Sequence, residues 1–195
     1  MVMDRYIASF DELNKMLTAS YMNAIESSES LERRAEMIRD DIVSYLILGY
    51  RMGVEDTAAN LGVSASVDPD FLETALFLTI EGKTLFDRIW DDVVSGSMGA
   101  LQAVVETEYH RMYNAGAYDT AAAYDYMDII GTWSTMRDEK VRDTHDYLEG
   151  KQVALGERFY TYDGDSARYP GDFSKAENNV NCRCAVIWKL KSLGI

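Results

Sequence analysis

The sequence contains little proline, cysteine or histidine, with two residues of each in a chain of 195. Pro69 and Pro170 leave long stretches free to form helices, because proline removes a backbone donor and disrupts a helix interior. His110 and His145 leave few places for histidine chemistry. The phosphate-binding glycine loop and the GxSxG, HExxH and EF-hand patterns do not occur either. No local motif therefore identifies a common enzyme class.

Long apolar runs are absent as well. No run reaches the roughly 18 residues that span a membrane. The opening MVMDRYIASFDELNK lacks the basic start, apolar middle and small-residue cleavage site of a secretory signal. We therefore expect a chain that is made in the cytoplasm, with reduced thiols and no membrane partner.

Basic residues are scarce in the first two thirds of the chain. The net charge is −14, and residues 1–130 carry 23 acids against 9 bases, whereas residues 131–195 carry 10 of each. A surface this negative repels phosphate, so we predict no direct sequence-specific binding of nucleic acid. The acidity favours a basic or polar protein partner, or serves only to keep the protein soluble.

The first 130 residues show the apolar spacing of α-helices. From Leu31 the spacing predicts a helix in which Gly49 is either an interior glycine or a bend. Small and turn-forming residues over 60–70 predict a loop. The N-terminal region is therefore predicted to be mainly α-helical.

Further helices are predicted after this loop. Asp68 and Pro69 predict the start of a helix that runs to about Ile80, because aspartate caps free backbone N–H groups and proline suits the first turn. Apolar spacing predicts another helix over about 85–95. Residues 100–127 predict one long helix whose weak point is Gly116.

The character of the sequence changes near residue 130. Turn residues become frequent, charge balances, and the short apolar runs TWSTM and CAVIW are typical of strands. The prediction is an α+β protein with a mainly α-helical N-terminal region over 1–130 and a small C-terminal α+β module over 131–195. The acidic, turn-rich stretch DGDSARYPGD over 163–172 predicts an exposed loop, with attraction of a cation as the alternative.

The stretch DEKVRDTHDYLEG over 138–150 predicts a short helix, because it has acids at its start and glycine at its end. His145 then shares an apolar face with Val141 and Leu148, and Asp138 can pair with Arg142 at a spacing of four residues. A histidine on such a face is a hydrogen-bonded core residue, a metal ligand or a catalytic base.

Both cysteines lie in one short stretch, Cys182 and Cys184, and on a strand their thiols would project from the same face. A disulfide across one residue requires strained geometry and an oxidising compartment. Zinc would need His145 and one carboxylate to complete four ligands. A nucleophilic thiol would need a basic and partly exposed setting, which Arg183 alone does not provide. Core packing remains the other alternative.

Taken together, these motifs resemble the phage head morphogenesis family, typified by the phage Mu F-like minor head proteins. The resemblance covers residues 107–184 and lies in the order and spacing of several short elements. It is carried by Thr107, Glu108, Arg111, Asn114, Trp133, Asp138, Val141, Arg142, His145, Leu148, Gly150, Phe159, Pro170, Gly171, Asn181, Cys182, Arg183 and Cys184.

This resemblance implies a minor capsid protein of the virion that acts in head morphogenesis, typically at the portal vertex inside the capsid. Its partners would be the portal protein, the major capsid protein or both, and it would be present in the host cytoplasm during assembly. The family pattern carries no established catalytic residues, so we expect no enzymatic activity. We also expect no cofactor, with a structural zinc at His145, Cys182 and Cys184 as the alternative.

Two other functions remain open at this point. One is a metal-dependent hydrolase in which His145, Cys182 and Cys184 hold a metal that activates water. The other is a binding protein of the host cell that shares the fold without entering a virion.

Overall fold

The computed structural model of the chain describes residues 2–79 and 82–191. Five helices come first: α1 (Val2–Glu26), α2 (Leu31–Leu61), α3 (Pro69–Leu76), α4 (Leu85–Ser95) and α5 (Met98–Ala122). They are followed by short elements: β1 (Ile129–Ser134), α6 (Asp143–Asp146), β2 (Gln152–Ala154), β3 (Phe159–Tyr160), β4 (Ser166–Ala167), α7 (Ala176–Asn179) and β5 (Ala185–Leu190). The predicted α+β class is confirmed.

Local capping bonds set the ends of the helices. Asp68 accepts a hydrogen bond from the Asp70 backbone N–H at 2.9 Å, so the predicted start of α3 is confirmed. At the start of α4, Thr84 and Asp87 bond each other's backbone in a capping box. Helix α3 ends at Leu76, before the predicted end near Ile80, which lies outside the described residues.

Helices α2 and α5 pack closely because glycines remove side chains where the backbones meet. A Cβ atom on Gly53 would lie 2.0 Å from the Tyr113 carbonyl oxygen, and one on Gly116 would lie 2.2 Å from the Tyr50 carbonyl oxygen. The prediction of a weak point at Gly116 is therefore wrong, since the helix is continuous there and touches its neighbour. Gly49 is likewise an interior glycine of α2, and α5 ends at Ala122 rather than near residue 127.

Two hydrogen bonds between tyrosines and aspartates add to this helix pair. Tyr113 donates to Asp56 at 3.0 Å, and Tyr50 donates to Asp119 at 2.7 Å. Burial first, and then the bond to Asp119, raise the pKa of Tyr50 far above its ordinary value. The Tyr50 hydroxyl therefore stays protonated at physiological pH and donates across the interface.

Strand β1 is the centre of a three-stranded antiparallel sheet with the order β2-β1-β5. Gly131 lies opposite Trp188, and a Cβ atom on this glycine would lie 2.6 Å from the indole ring. Strands β3 and β4 form a separate antiparallel pair. The strands predicted from TWSTM and CAVIW are confirmed.

The buried apolar residues form two clusters. One lies among the five long helices, and the other surrounds the sheet and is dominated by Trp133, Trp188 and Phe159. The second cluster also includes Leu61 from α2 and Ala117 from α5. Residues of α2 and α5 thus contribute to the core around the sheet. The predicted domain division at residue 130 stays a prediction. In the described ranges, no helix is both long and apolar enough to cross a membrane.

We predict that Gly53→Ala lowers the free energy of unfolding by roughly 1–3 kcal/mol, because the added methyl group meets the backbone of α5, which cannot rotate away. Gly99→Ala is the matched control within α5, since nothing lies within 4 Å of its added Cβ atom. This control should be neutral or stabilising by about 0.5 kcal/mol. Urea denaturation of both variants measures the difference, and equal stabilities would contradict the proposed close contact.

Candidate functional site

Three side chains that the sequence analysis grouped meet in the interior. His145 lies on α6, and Cys182 and Cys184 lie on the segment that precedes β5. The imidazole Nδ1 atom is 3.4 Å from the Cys182 Sγ atom and 3.5 Å from the Cys184 Sγ atom. All three residues are buried, and both cysteines are free thiols. Their role as metal ligands stays a prediction.

The elements that carry these side chains differ from the prediction. Helix α6 spans only Asp143–Asp146, and turns occupy much of the rest of 138–150, so the predicted helix over this range is wrong. Both cysteines lie before β5, so the strand geometry considered for their thiols does not apply. The pairing of β1 with β5 ends where Ser134 meets Ala185, so Cys184 has no partner in the ladder.

Aromatic rings surround the imidazole. The His145 ring stacks on Phe173 with centroids 5.2 Å apart, and the edge of Trp133 approaches it at 5.7 Å. Trp133 in turn contacts Phe159 at 5.1 Å. The His145 Nε2 atom is buried and has no hydrogen-bond partner among the described residues. Packing against these rings therefore fixes the imidazole plane and directs Nδ1 towards the thiols.

The two thiols differ in acidity. A hydrogen bond with Cys184 and a further one with His145 lower the pKa of Cys182 well below the ordinary value, against the opposing effect of burial. The same bond between the thiols, together with burial, raises the pKa of Cys184. The first proton therefore leaves this pair more readily than the second.

Two arginines hold the chain around the cluster. Arg183, between the cysteines, forms a bidentate ion pair with Asp138 at 2.7 and 2.8 Å, which lowers the pKa of that carboxyl group. Arg142 donates to the backbone carbonyls of Glu177 and Val180. The predicted Asp138–Arg142 pair is therefore wrong, because each of the two has a partner farther along the chain.

Two polar residues of α5 bind the closing segment directly. Thr107 accepts a hydrogen bond from the Asn181 backbone N–H at 3.0 Å. Asn114 is fully buried, donates to the Cys184 carbonyl at 3.1 Å and accepts from the Val186 N–H at 3.0 Å. Helix α5 therefore replaces the strand partner that this segment lacks.

Glu108 and Arg111, the other two motif residues of α5, form a buried ion network with Arg88. The Glu108 carboxylate accepts from Arg111 at 2.7 and 2.9 Å and from Arg88 at 2.6 Å. Burial alone would raise the pKa of Glu108, but the two arginines hold it below the ordinary value. Gly171 packs on this network, because its Cβ atom would lie 2.6 Å from the Arg111 Cγ atom.

The remaining residues of the motif shape turns or fill the core. Gly150 and Asn181 both adopt the left-handed backbone conformation, which glycine and asparagine tolerate best. The Gly150 N–H donates to the Trp133 carbonyl at 2.9 Å and closes the turn before β2. Phe159 and Pro170 are buried.

The sequence analysis missed Asp165, which organises the loop over 163–180. Its side chain is buried and accepts hydrogen bonds from the side chains of Ser174 and Asn178. The Asp165 carboxylate also accepts hydrogen bonds from the backbone N–H groups of Ser166, Ser174 and Lys175. The prediction of an exposed loop is therefore wrong for Asp165. The composition of the loop does not indicate this role, because Asp, Gly and Ser are also common in exposed turns.

A small cavity of about 10 Å³ adjoins the His145, Cys182 and Cys184 cluster. This volume suits one water molecule or one ion. Larger cavities lie elsewhere, such as one of about 310 Å³ that is lined by residues including Tyr50, Asp119 and Val67. The space beside the thiols is thus limited to a single small species.

The chain is similar in sequence to a known protein family and to known proteins. Residues 15–187 match the family described as phage Mu protein F like protein. The chain belongs to this family. Family membership confirms the resemblance seen in the motifs and extends it into the helical region, well before Thr107. The Mu F-like fold in this chain therefore includes helices as well as the sheet.

Two curated relatives share parts of the chain. It is 31% identical over 93 residues to the minor head protein GP7 of Bacillus phage SPP1, covering 47% of this chain and 30% of that protein. It is 44% identical over 61 residues to the NAD(+)--arginine ADP-ribosyltransferase EFV of Enterococcus faecalis, covering 31% of this chain and 12% of that protein. The chain thus spans less than a third of either relative. No solved structure matches it significantly.

We predict that Asn114→Ala lowers the free energy of unfolding by about 2–3 kcal/mol, because it leaves the Cys184 carbonyl and the Val186 N–H buried without their partner. Gln102→Ala is the control on the same helix, since Gln102 bonds the part-buried side chains of Asn14 and Glu106 and, among the described residues, no backbone group. Its effect should stay below about 1 kcal/mol. Chemical denaturation compares the two, and an equal loss would contradict the special role of Asn114.

We predict that Asp165→Asn lowers the free energy of unfolding at neutral pH by roughly 2–3 kcal/mol, because an amide cannot accept from all the donors around Asp165. Asp163→Asn, which affects an exposed pair with Lys175, is the control and should have a much smaller effect.

Asp165 also makes the stability of the fold depend on pH. Burial opposes ionisation, but the hydrogen bonds led by Asn178 and Ser174 hold the pKa of Asp165 far below its ordinary value. The stability that it contributes is present above about pH 4 and is lost as the pH falls through the lowered folded-state value. Melting temperatures between about pH 6 and pH 2 should therefore fall more steeply for the native chain than for Asp165→Asn. Parallel curves would refute this assignment.

Proposed function

We propose that the chain is a minor head protein that acts in phage head morphogenesis and is bound at the portal vertex inside the capsid. The observation that carries this proposal is membership of the Mu F-like family over residues 15–187. The similarity to a protein named as a minor head protein of Bacillus phage SPP1 supports it. The proposed partners are the portal protein, the major capsid protein or both.

A scaffold role without enzymatic activity is part of this proposal. The rival, a metal-dependent hydrolase, would need room for a substrate beside His145, Cys182 and Cys184. The adjoining cavity of about 10 Å³ admits one small species only. The Asp138 carboxylate is engaged by Arg183, the residue between the two cysteines. These observations favour a role in which the cluster holds the chain together.

The charge distribution supports a contact through the helical region. Residues 1–130 have 23 acids and 9 bases, which leaves 14 uncompensated negative charges, and residues 131–195 are balanced. An acidic surface attracts a basic protein surface and repels DNA. We therefore place the partner contact on the helices, with assembly in the host cytoplasm and the mature location in the virion.

The test is mass spectrometry of purified virions together with co-purification on tagged portal protein. We expect the chain in particles at a much lower copy number than the major capsid protein, and retention by the portal that weakens with salt. A chain that is abundant in the lysate but absent from particles would refute the proposal and favour a binding protein of the host cell.

A matched pair of variants tests the charge argument. Neutralising three exposed acids of α2, Glu32→Gln, Asp40→Asn and Asp41→Asn, should weaken portal binding by about tenfold, because each exposed pair contributes up to about 1 kcal/mol. The control removes the same charge from the C-terminal region through Glu139→Gln, Asp146→Asn and Glu177→Gln. It should bind like the native chain. Equal weakening in both variants would contradict a contact through the helices.

A further inference from the structure

We infer that His145, Cys182 and Cys184 bind one Zn²⁺ ion that joins α6 to the segment before β5. The three ligand atoms all lie within 4.8 Å of one another and all three residues are buried. Imidazole nitrogen and thiolate sulfur are donors that zinc prefers. The inference does not depend on the proposed function, since it concerns how the chain folds in any location.

The distances fit a single ion that touches all three atoms. With Zn–S bonds of about 2.3 Å and Zn–N bonds of about 2.0 Å, two ligands of a tetrahedron lie about 3.5 Å apart. The imidazole Nδ1 atom is 3.4 Å from one sulfur and 3.5 Å from the other. The two nitrogen-to-sulfur distances therefore already match those expected around a tetrahedral zinc ion.

Hydrogen bonding alone explains this arrangement less well. A ring nitrogen of a neutral imidazole carries either one proton or one lone pair in the ring plane, so it makes one hydrogen bond in good geometry. Here two thiols share the same nitrogen at nearly equal distances. An ion on that lone pair contacts both sulfurs at once, because the metal lies between the three atoms and needs no proton.

The adjoining cavity supplies the fourth coordination position. Its volume of about 10 Å³ suits one water molecule beside the ion. Three protein ligands and a water are also found in catalytic zinc sites, but those sites admit a substrate. This cavity is too small for one, so the ion would have a structural role.

The charges around the cluster are compatible with the ion. Lys140, Arg142 and Arg183 line the same cavity. Arg183 is paired with Asp138, and Arg142 is directed at backbone carbonyls. Two thiolates neutralise Zn²⁺, so binding adds no net charge beside these cations.

Metal analysis of the full chain is the first test. Protein purified under reducing conditions from zinc-supplemented cells should contain about one zinc per chain. A chelator should remove it and lower the melting temperature by several degrees, and added Zn²⁺ should restore the value whereas Mg²⁺ should not. Zinc-free protein whose melting temperature does not respond to added Zn²⁺ would overturn the inference.

Cobalt substitution then identifies the ligands. Co²⁺ in this site should show thiolate-to-metal charge-transfer absorption, about half of which is lost in Cys182→Ser or Cys184→Ser and all of it in the double variant. The matched control is Phe173→Leu, which removes the ring stacked on His145 but leaves every ligand in place. It should melt at a lower temperature and still bind one zinc per chain. Charge-transfer bands that persist in the double cysteine variant would overturn the assignment.

Discussion

The structure depends on a set of buried polar bonds between α5 and the segment that leads into β5. This segment has no strand partner before Ala185, so its backbone groups need partners from outside the sheet. Asn114 supplies both a donor and an acceptor to it, and Thr107 accepts from the Asn181 N–H about two turns earlier along the helix. The position of the thiols follows from these bonds, because they fix the backbone on both sides of Cys182.

A second set of contacts positions the imidazole from the opposite side. Helix α6 is only one turn long and cannot hold His145 by its own backbone bonds. Phe173 and Trp133 hold the ring instead, and Phe173 belongs to a loop that is organised by the buried carboxylate of Asp165. Arg142 ties the start of α6 to the carbonyls at the end of α7. The cluster is thus built from long-range contacts, which is why its geometry is specific despite so little regular secondary structure.

Apolar spacing was sufficient to predict α2 and α4. Most of α5 was predicted from a long stretch rich in alanine and tyrosine, and its residues 108–117 are buried on all sides. The grouping of His145 with the two cysteines could also be predicted, since motif order placed them on segments that close on each other. The helix over 138–150 could not be predicted correctly, because Asp138 pairs with Arg183, which is 45 residues away, and not with its helical neighbour. Asp165 was missed for a similar reason, since its donors come from residues up to 13 positions later.

Charge is distributed unequally between the helical region and the C-terminal region. In the described C-terminal residues the acids Asp138, Glu149 and Asp172 are all paired with arginines. Residues 1–130 carry 23 acids against 9 bases, whereas residues 131–195 carry 10 of each. A basic surface that approaches the helices therefore meets a net negative charge, whereas one that approaches the sheet region meets a balanced one. This difference favours a division of labour in which the sheet region maintains the fold and the helices make the contact.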